Sequence, residues 1–288
     1  MAIRDRFIRM KVDAPVNQRG TALTWTLRKW RALFSIYFQD GLAYRASGII
    51  WVLTDLTTGV TMPLVWASAQ KAGAIAGYQT SDFVLYYLCM LLLTGFITSH
   101  LMWDLAVEIK EGVFSTSLVR PVSFYQVCFF RNITWRLIRP ALFFPFFLLL
   151  LFLYRPYLGH ATVHITPAFF LSVLLGHLVS FFWVMAVAMI ALFVQEAQSI
   201  FELYYLPLLF LSGQLFPVAV LPQWARSLSQ ILPFYYTVGG PTEILVGRVS
   251  GDAVNHVLIM QVTWIFVSYV VSKLLWRKGL KHYSAVGM

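Results

Sequence analysis

Few residues of this chain have the type and spacing that chemistry requires, and they are scattered along the sequence. His160 and His164 stand four residues apart, a spacing that can place two imidazoles on one face of a helix. A zinc site needs a third ligand as well, and none accompanies this pair. His100 and His177 are single polar residues in apolar stretches, which we interpret as packing groups. The sequence therefore predicts no metal site and no catalytic residue.

One carboxylate, Asp55, lies inside an apolar stretch. Burying a carboxylate in a bilayer is costly, so an acid at such a position is a candidate for a role in a transport pathway or at a dimer contact. Neighbouring hydroxyl groups offer a structural alternative, because they can hydrogen-bond the carboxylate where two helices meet: Thr54, Thr57, Thr58 and Thr61. The sequence leaves both roles open.

No phosphate-binding loop of the Gly-x-x-x-x-Gly-Lys-Ser/Thr type occurs in the chain. Such a loop holds the phosphates of ATP against its backbone amides, so this chain does not bind ATP by that route. Any energy for work has to come from a partner or from a gradient.

Composition identifies the solvent in which the chain folds. Of its 288 residues, 59% are hydrophobic and 12% are charged, whereas soluble domains are about 45–50% apolar and about 25% charged. This excludes a water-soluble globule and favours lipid. The formal net charge of +10 suits either a nucleic-acid-binding protein or the cytoplasmic loops of a membrane protein.

Six stretches are long and apolar enough to cross a bilayer, which takes about 20 residues. They are 48–69, 83–103, 133–154, 167–194, 203 to about 220, and 253–272. The third begins with Arg136 and Arg139, whose long side chains we expect to extend to the membrane interface. The fifth contains Pro207 and Pro217, and we expect it to break near its outer end. The sequence thus predicts an all-α membrane protein with six transmembrane helices.

The positions of the basic residues decide between the two interpretations of the charge. Only four of the 22 lie on the side of the membrane opposite the termini: Lys71, Arg155, Arg226 and Arg248. By the positive-inside rule both termini face the cytoplasm. The first 20 residues carry charges and no apolar core, so we expect the first span to act as an uncleaved anchor. The excess charge is an orientation signal, and we expect no nucleic-acid partner.

Two amphipathic segments accompany the spans. Residues 1–47 form a cytoplasmic N-terminus in which apolar residues recur at helical spacing from Leu23 to Leu42, which predicts a helix lying along the membrane surface. Residues 213–252, after the fifth span, are too apolar for a solvated loop, and we expect an outer re-entrant helical segment. The transmembrane domain then covers 48–272, and 273–288 form a basic cytoplasmic tail.

The cytoplasmic segment 104–121, between the second and third spans, combines charges with apolar side chains. Gly112 favours a helix end, and Pro121 limits a second helical piece. A short helix with charges and exposed apolar residues such as Ile109 and Val113 is suited to docking a cytoplasmic partner. A solvated helical connector is the alternative.

Here the sequence resembles the permease subunits of ABC-2-type exporters. The segment contains Glu108-Ile-Lys-Glu-Gly112 followed by Leu118-Val-Arg-Pro121. The fifth span contains Leu211-Ser-Gly213, Pro217 and Leu-Pro222-x-Trp224. The resemblance covers nearly the whole chain and implies the membrane half of an ATP-driven exporter in a bacterial inner membrane. It also implies separate ATPase subunits, which would hold ATP and Mg, and a second permease chain, identical or related.

The resemblance also assigns residues to roles. Coupling to the ATPase would involve Glu108, Lys110, Glu111, Gly112, Phe114, Leu118, Arg120 and Pro121. The wall of the substrate pathway would include Thr94, Phe96, Ser99, Phe210, Ser212 and Gln214. Asp55 joins these pathway candidates on the separate ground that its carboxylate lies in an apolar stretch. An aromatic surface with few hydroxyl groups suits an amphipathic or hydrophobic cargo such as a drug, lipid or natural product. Contact of the same side chains with membrane lipid is the alternative.

Two other functional classes stay open at this point. A membrane-embedded lipid-modifying enzyme would use His160, His164 or Asp55, but an enzyme should gather such groups at one depth and this sequence scatters them. A gradient-driven transporter would favour paired ionisable groups within the membrane, for which Asp55 is the one candidate.

Overall fold

The structure, a computed structural model, describes residues 22–43, 45–69, 75–159, 161–194 and 196–283. Regular structure in these residues is helical, apart from one isolated bridge between Ile75 and Tyr78. The α-helices are α1 Ala22–Ala43, α2 Arg45–Ala69, α3 Thr80–Ile97, α4 Leu101–Lys110, α5 Phe114–Leu118, α6 Phe124–Leu158, α7 Pro167–Ala188, α8 Ala197–Leu211, α9 Gln223–Ile231, α10 Gly240–Leu245 and α11 Asp252–His282. Short 3-10 helices cover Met189–Leu192 and Val218–Val220, and a π-helical turn covers Tyr235–Gly239.

Four stretches of the described chain are long and apolar enough to cross a membrane. They are Thr80–Lys110, Phe124–Leu158, Pro167–Leu192 and Asp252–His282. They coincide with predicted spans two, three, four and six, and they define a multi-pass membrane protein. Helix α2 covers the predicted first span, and α8 covers the first part of the fifth. Membrane crossing by these two helices stays a prediction.

The second predicted span is two helices rather than one. Helix α3 ends at Ile97 and α4 begins at Leu101. In the break, the amide of Ser99 donates a hydrogen bond to Ser180 Oγ of α7 at 2.8 Å. A backbone amide released from a helix inside a membrane needs such a partner, because no water is available to it there. The neighbouring helix therefore supports an interruption that the apolar pattern alone did not indicate.

The two arginines of the third span lie inside the protein. Arg136 and Arg139 are only 3% and 4% exposed, and Arg136 Nη1 donates to the carbonyl of Gly95 at 3.3 Å. The prediction that both side chains extend to the membrane interface is therefore wrong. The reason is that α3 packs along this face of α6, where Gly95 lies opposite Pro140, and covers the arginines.

Residues 213–251 fold back against the bundle. Tyr86 and Tyr87 of α3 donate hydrogen bonds to the carbonyls of Gly213 (3.0 Å) and Leu215 (2.8 Å). Gln261 of α11 donates from Nε2 to two carbonyls, at 2.9 Å each, and so joins α7 to the π-helical turn. Helix α9 lies within the segment predicted to be helical, and α10 follows it. The re-entrant arrangement of the segment stays a prediction.

The bundle has a large apolar cluster towards each end. At the α5 end, the cluster joins α4 and α5 to the start of α6, the end of α7 and the start of α8. At the α9 end, it joins α3 to residues 218–257. Helix α1 packs along α6, where Lys29 Nζ donates to Gln126 Oε1 at 2.8 Å. Its location at a membrane surface stays a prediction, and residues 1–21 and 284–288 lie outside the described residues.

Candidate functional site

The candidate docking segment forms a bend between two short helices at the α5 end of the bundle. We call α4, residues 111–113 and α5 the elbow. Helix α4 ends at Lys110, and Gly112 follows with φ of +77°, a left-handed conformation that glycine adopts without strain. Helix α5 ends at Leu118, before Pro121. Both helix ends agree with the sequence prediction.

Phe114 anchors the elbow in the protein interior. Its side chain is 0% exposed, and its ring contacts Phe124, Trp276 and Tyr283 edge-on, with centroids 5.3, 5.8 and 5.1 Å away. Ile109 is buried as well. The expectation that Ile109 is exposed is therefore wrong. Phe114, which the resemblance assigned to coupling, is covered by the start of α6 and the end of α11.

Other apolar residues of the segment are exposed beside charged ones. Val119 is 84% exposed and Leu118 is 40% exposed. We call this surface the elbow patch, and it consists of Glu111, Val113, Leu118, Val119, Arg120 and Pro121. Five of its six residues follow the bend at Gly112. An exposed surface with apolar side chains next to charges of both signs can form an interface with another protein.

Two of the predicted docking charges are engaged within the protein. Glu108 pairs with Arg131 of α6, which also lies 3.7 Å from Asp104. Lys110 Nζ lies 2.9 Å from Glu196 Oε1, just before α8. The Lys110 pair is exposed, and such pairs contribute about 0–1 kcal/mol. Glu108 and Lys110 therefore position the elbow against its neighbours.

The predicted pathway residues occupy different environments. Phe96 and Phe210 are exposed, and Phe210 stacks on Phe216 with centroids 5.4 Å apart. Ser99 and Ser212 are buried, and their hydroxyl groups have no hydrogen-bond partner among the described residues. The two phenylalanines can contact lipid or cargo, whereas the two serines face the protein interior.

The three remaining predicted pathway residues are Thr94, Gln214 and Asp55. The hydroxyl of Thr94 donates to the carbonyl of Met90 in its own helix at 2.8 Å. The side-chain nitrogen of Gln214 is buried and has no hydrogen-bond partner among the described residues. The backbone of Asp55 belongs to α2, but its side chain lies outside what the structure describes.

A buried polar cluster surrounds the break between α3 and α4. Asn132 Nδ2 lies 3.4 Å from His177 Nε2. The cluster consists of Thr98, Ser99, Asn132, Thr134, Arg136, Arg139, His177 and Ser180. Sequence reasoning missed it, because its members come from three separate spans. The signals available in the sequence were the two arginines inside the third span and the isolated His177 in the fourth.

A buried carboxyl group lies at the α9 end, away from the buried arginines. Glu243 of α10 is buried and accepts a hydrogen bond from the hydroxyl of Tyr235 at 2.7 Å. Arg248 Nη2 lies 2.7 Å from Asp82 Oδ2 at the start of α3, with its guanidinium carbon 3.9 Å above the ring of Tyr78. Burial raises the pKa of Glu243, although the Tyr235 hydrogen bond and Arg248 act in the opposite direction. Helix α10 lies outside the four membrane-spanning stretches.

This pKa shift gives a pH prediction for Glu243→Gln. With a folded-state pKa above the unfolded value, wild-type stability is greatest at low pH and falls as the pH rises between the two values. The glutamine variant keeps an oxygen for the Tyr235 hydroxyl and does not titrate. We expect thermal denaturation in mild detergent, scanned from pH 4 to 8, to show a smaller loss of stability for the variant. A steeper loss than in wild type would contradict the assignment.

The described residues contain no group of three His, Cys, Asp or Glu side chains that could hold a metal ion. His160 lies outside the described residues, and the amide of His164 donates to the carbonyl of Leu245. Cys89 and Cys128 are buried free thiols.

The fold defines a multi-pass helical membrane protein with an exposed elbow at one end of its bundle. The family model described as ABC-2 family transporter protein matches residues 56–287, and the chain belongs to this family. It is thus a membrane component of an ABC transporter. No curated protein matches the chain.

Proposed function

We propose that this chain is the permease subunit of an ATP-driven exporter, coupled through the elbow to separate ATPase subunits that bind ATP and Mg. The observation that carries the proposal is the elbow patch, which presents Leu118 and Val119 to solvent while Phe114 fixes the same segment to the bundle. A segment that is exposed on one face and anchored on the other can bind a partner and transmit its motion.

The proposed orientation places the α5 end in the cytoplasm of a bacterial cell, with the chain in the inner membrane and both termini cytoplasmic. The asymmetry of the basic residues supports this orientation, since the side opposite the termini carries only Lys71, Arg155, Arg226 and Arg248. An ATPase in the cytoplasm would then meet the elbow patch directly.

The proposed assembly contains two permease chains, identical or related, which together enclose the substrate pathway. The sequence shows no internal repeat of the kind that builds both halves of a pathway from a single chain. Exposed aromatic residues such as Phe96 and Phe210 support an amphipathic or hydrophobic cargo, with membrane lipid as the other neighbour of this surface.

A charge placed in the elbow patch tests the docking. We expect Val119→Asp to reduce co-purification with a co-expressed ABC-type ATPase of the same genome about tenfold or more, which corresponds to at least about 1.4 kcal/mol of binding free energy. The physical reason is that a carboxylate buried against an apolar groove loses its hydration. Binding is measured as the ATPase to permease ratio after purification in mild detergent.

Val163→Asp is the matched control, because Val163 is an exposed valine in the connection before α7. It should leave the ATPase ratio at the wild-type value. If no ABC-type ATPase of that genome binds the wild-type chain, or if the purified chain transports cargo without one, the proposed function is wrong.

A further inference from the structure

We propose that the C-terminal end of α11 is part of the coupling device, with Tyr283 and Trp276 as positioning residues. They would hold α5 against the bundle and carry its displacement directly to the last membrane-spanning helix. This inference rests on the proposed function. It adds the contact through which a displacement of the elbow would reach the rest of the protein.

The contact between α5 and α11 is both apolar and polar. The rings of Trp276 and Tyr283 lie against two sides of the fully buried Phe114 ring. The hydroxyl groups of Ser115 and Tyr283 lie 3.0 Å apart and form a hydrogen bond. Edge-to-face aromatic pairs are favourable beyond the area that they bury. Two consecutive residues of α5 are therefore fixed to one end of α11.

The end of α11 is in turn closely packed against other helices. A Cβ at Gly279 would lie 2.6 Å from the side chain of Leu192, so the backbones of α11 and the 189–192 turn approach closely at this point. About two turns earlier in α11, the hydroxyl groups of Tyr125 and Ser272 lie 2.6 Å apart. Close packing of this kind transmits displacement, because protein interiors have few voids to absorb it.

Two other connections of the elbow are less suited to transmit motion. Helix α5 has five residues, and its covalent link to α4 runs through Gly112, a residue with high backbone freedom. The pair between Lys110 and Glu196 is solvent-exposed, and exposed pairs are weak. The aromatic contact with α11 is stiffer than either of these two connections, so we expect it to carry a displacement of Leu118 or Val119.

Hydrogen–deuterium exchange of the permease–ATPase complex tests this route. We compare the nucleotide-free complex with one trapped by ATP, Mg and vanadate, and follow the peptides covering 101–121 and 273–283. In wild type we expect trapping to change exchange in both. In Tyr283→Ala we expect the exchange difference in 273–283 to fall to less than half of its wild-type value. The exchange difference in 101–121 and the ATPase to permease ratio should stay at their wild-type values.

Two further variants make the comparison specific. Tyr283→Phe keeps the ring and loses only the hydrogen bond, so we expect an intermediate response and a wild-type melting temperature. Tyr157→Ala, a change at an exposed tyrosine near the opposite end of α6, should behave as wild type. The inference is overturned if trapping alters 101–121 but not 273–283 in wild type, or if Tyr283→Ala preserves the full change. Failure of any ATPase to bind would instead overturn the proposed function itself.

Discussion

Phe114→Ala is expected to lower the free energy of unfolding by about 3–5 kcal/mol, the usual cost of removing a fully buried phenylalanine. The cavity would lie between Phe124, Trp276 and Tyr283, which contact the ring in the native protein. Loss of this anchor should also release the elbow. We therefore expect a lower melting temperature in mild detergent, faster proteolysis within residues 111–121, and weaker ATPase binding.

Leu118→Ala is the variant to compare with Phe114→Ala. Leu118 is exposed, so its truncation should change the free energy of unfolding by no more than about 0.5 kcal/mol. It should nevertheless weaken ATPase binding, because its side chain belongs to the elbow patch. The two variants thus lose binding for different reasons, one through the fold and one through the contact. A stable Phe114→Ala protein that has lost its ATPase would instead make Phe114 a direct docking residue.

Gly176→Val is expected to disrupt the packing of the π-helical turn against α7. A Cβ at Gly176 would lie 2.4 Å from the backbone carbonyl oxygen of Thr237, and an approach under 3.0 Å forces something to shift. The obstacle is backbone, so no side-chain rotation relieves it. Overpacking of this kind costs about 1–3 kcal/mol, occasionally more. The shift would also disturb Gln261, which bonds carbonyls on both sides of this contact.

Gly95→Ala is the matched control for the same measurement. Gly95 also lies within a helix, but an added Cβ meets only Pro140 Cγ at 3.6 Å, an ordinary contact distance. Alanine is the better helix former by about 1 kcal/mol. We expect this variant to melt at or above the wild-type temperature in detergent, and Gly176→Val well below it. Equal melting temperatures for the two variants would show that the π-helical turn is not held tightly against α7.

The sequence predicted those parts of the fold that depend on local chemistry. Four of the predicted apolar stretches coincide with helical stretches of the described chain that are long and apolar enough to cross a membrane. The helix ends near Gly112 and before Pro121 also followed from the sequence, because the conformational limits of glycine and proline act within a few residues. The order of these features along the chain was sufficient to indicate the family that the match over residues 56–287 shows.

The candidate site was predicted in position but not in detail. Helices α4 and α5 end where the sequence predicted, near Gly112 and before Pro121, while the docking role of segment 104–121 stays a prediction. The exposure of its apolar residues could not be predicted. Phe114 and Val119 differ little in hydrophobic character, but one is fully buried and the other is 84% exposed. The buried arginines of the third span were likewise placed at the wrong location, because their exposure depends on how α3 packs along α6.

The sequence by itself therefore determined the class of protein, the apolar helices and the location of the elbow, since each follows from composition or from residues close together in the chain. Only the tertiary structure decided which side chains the elbow presents and which it buries. Phe114 is buried by a contact in which Phe114 and Ser115 meet Tyr283, a residue far away in the sequence. No local pattern specifies such a contact, because it exists only once the last helix has packed against the first residues of α6.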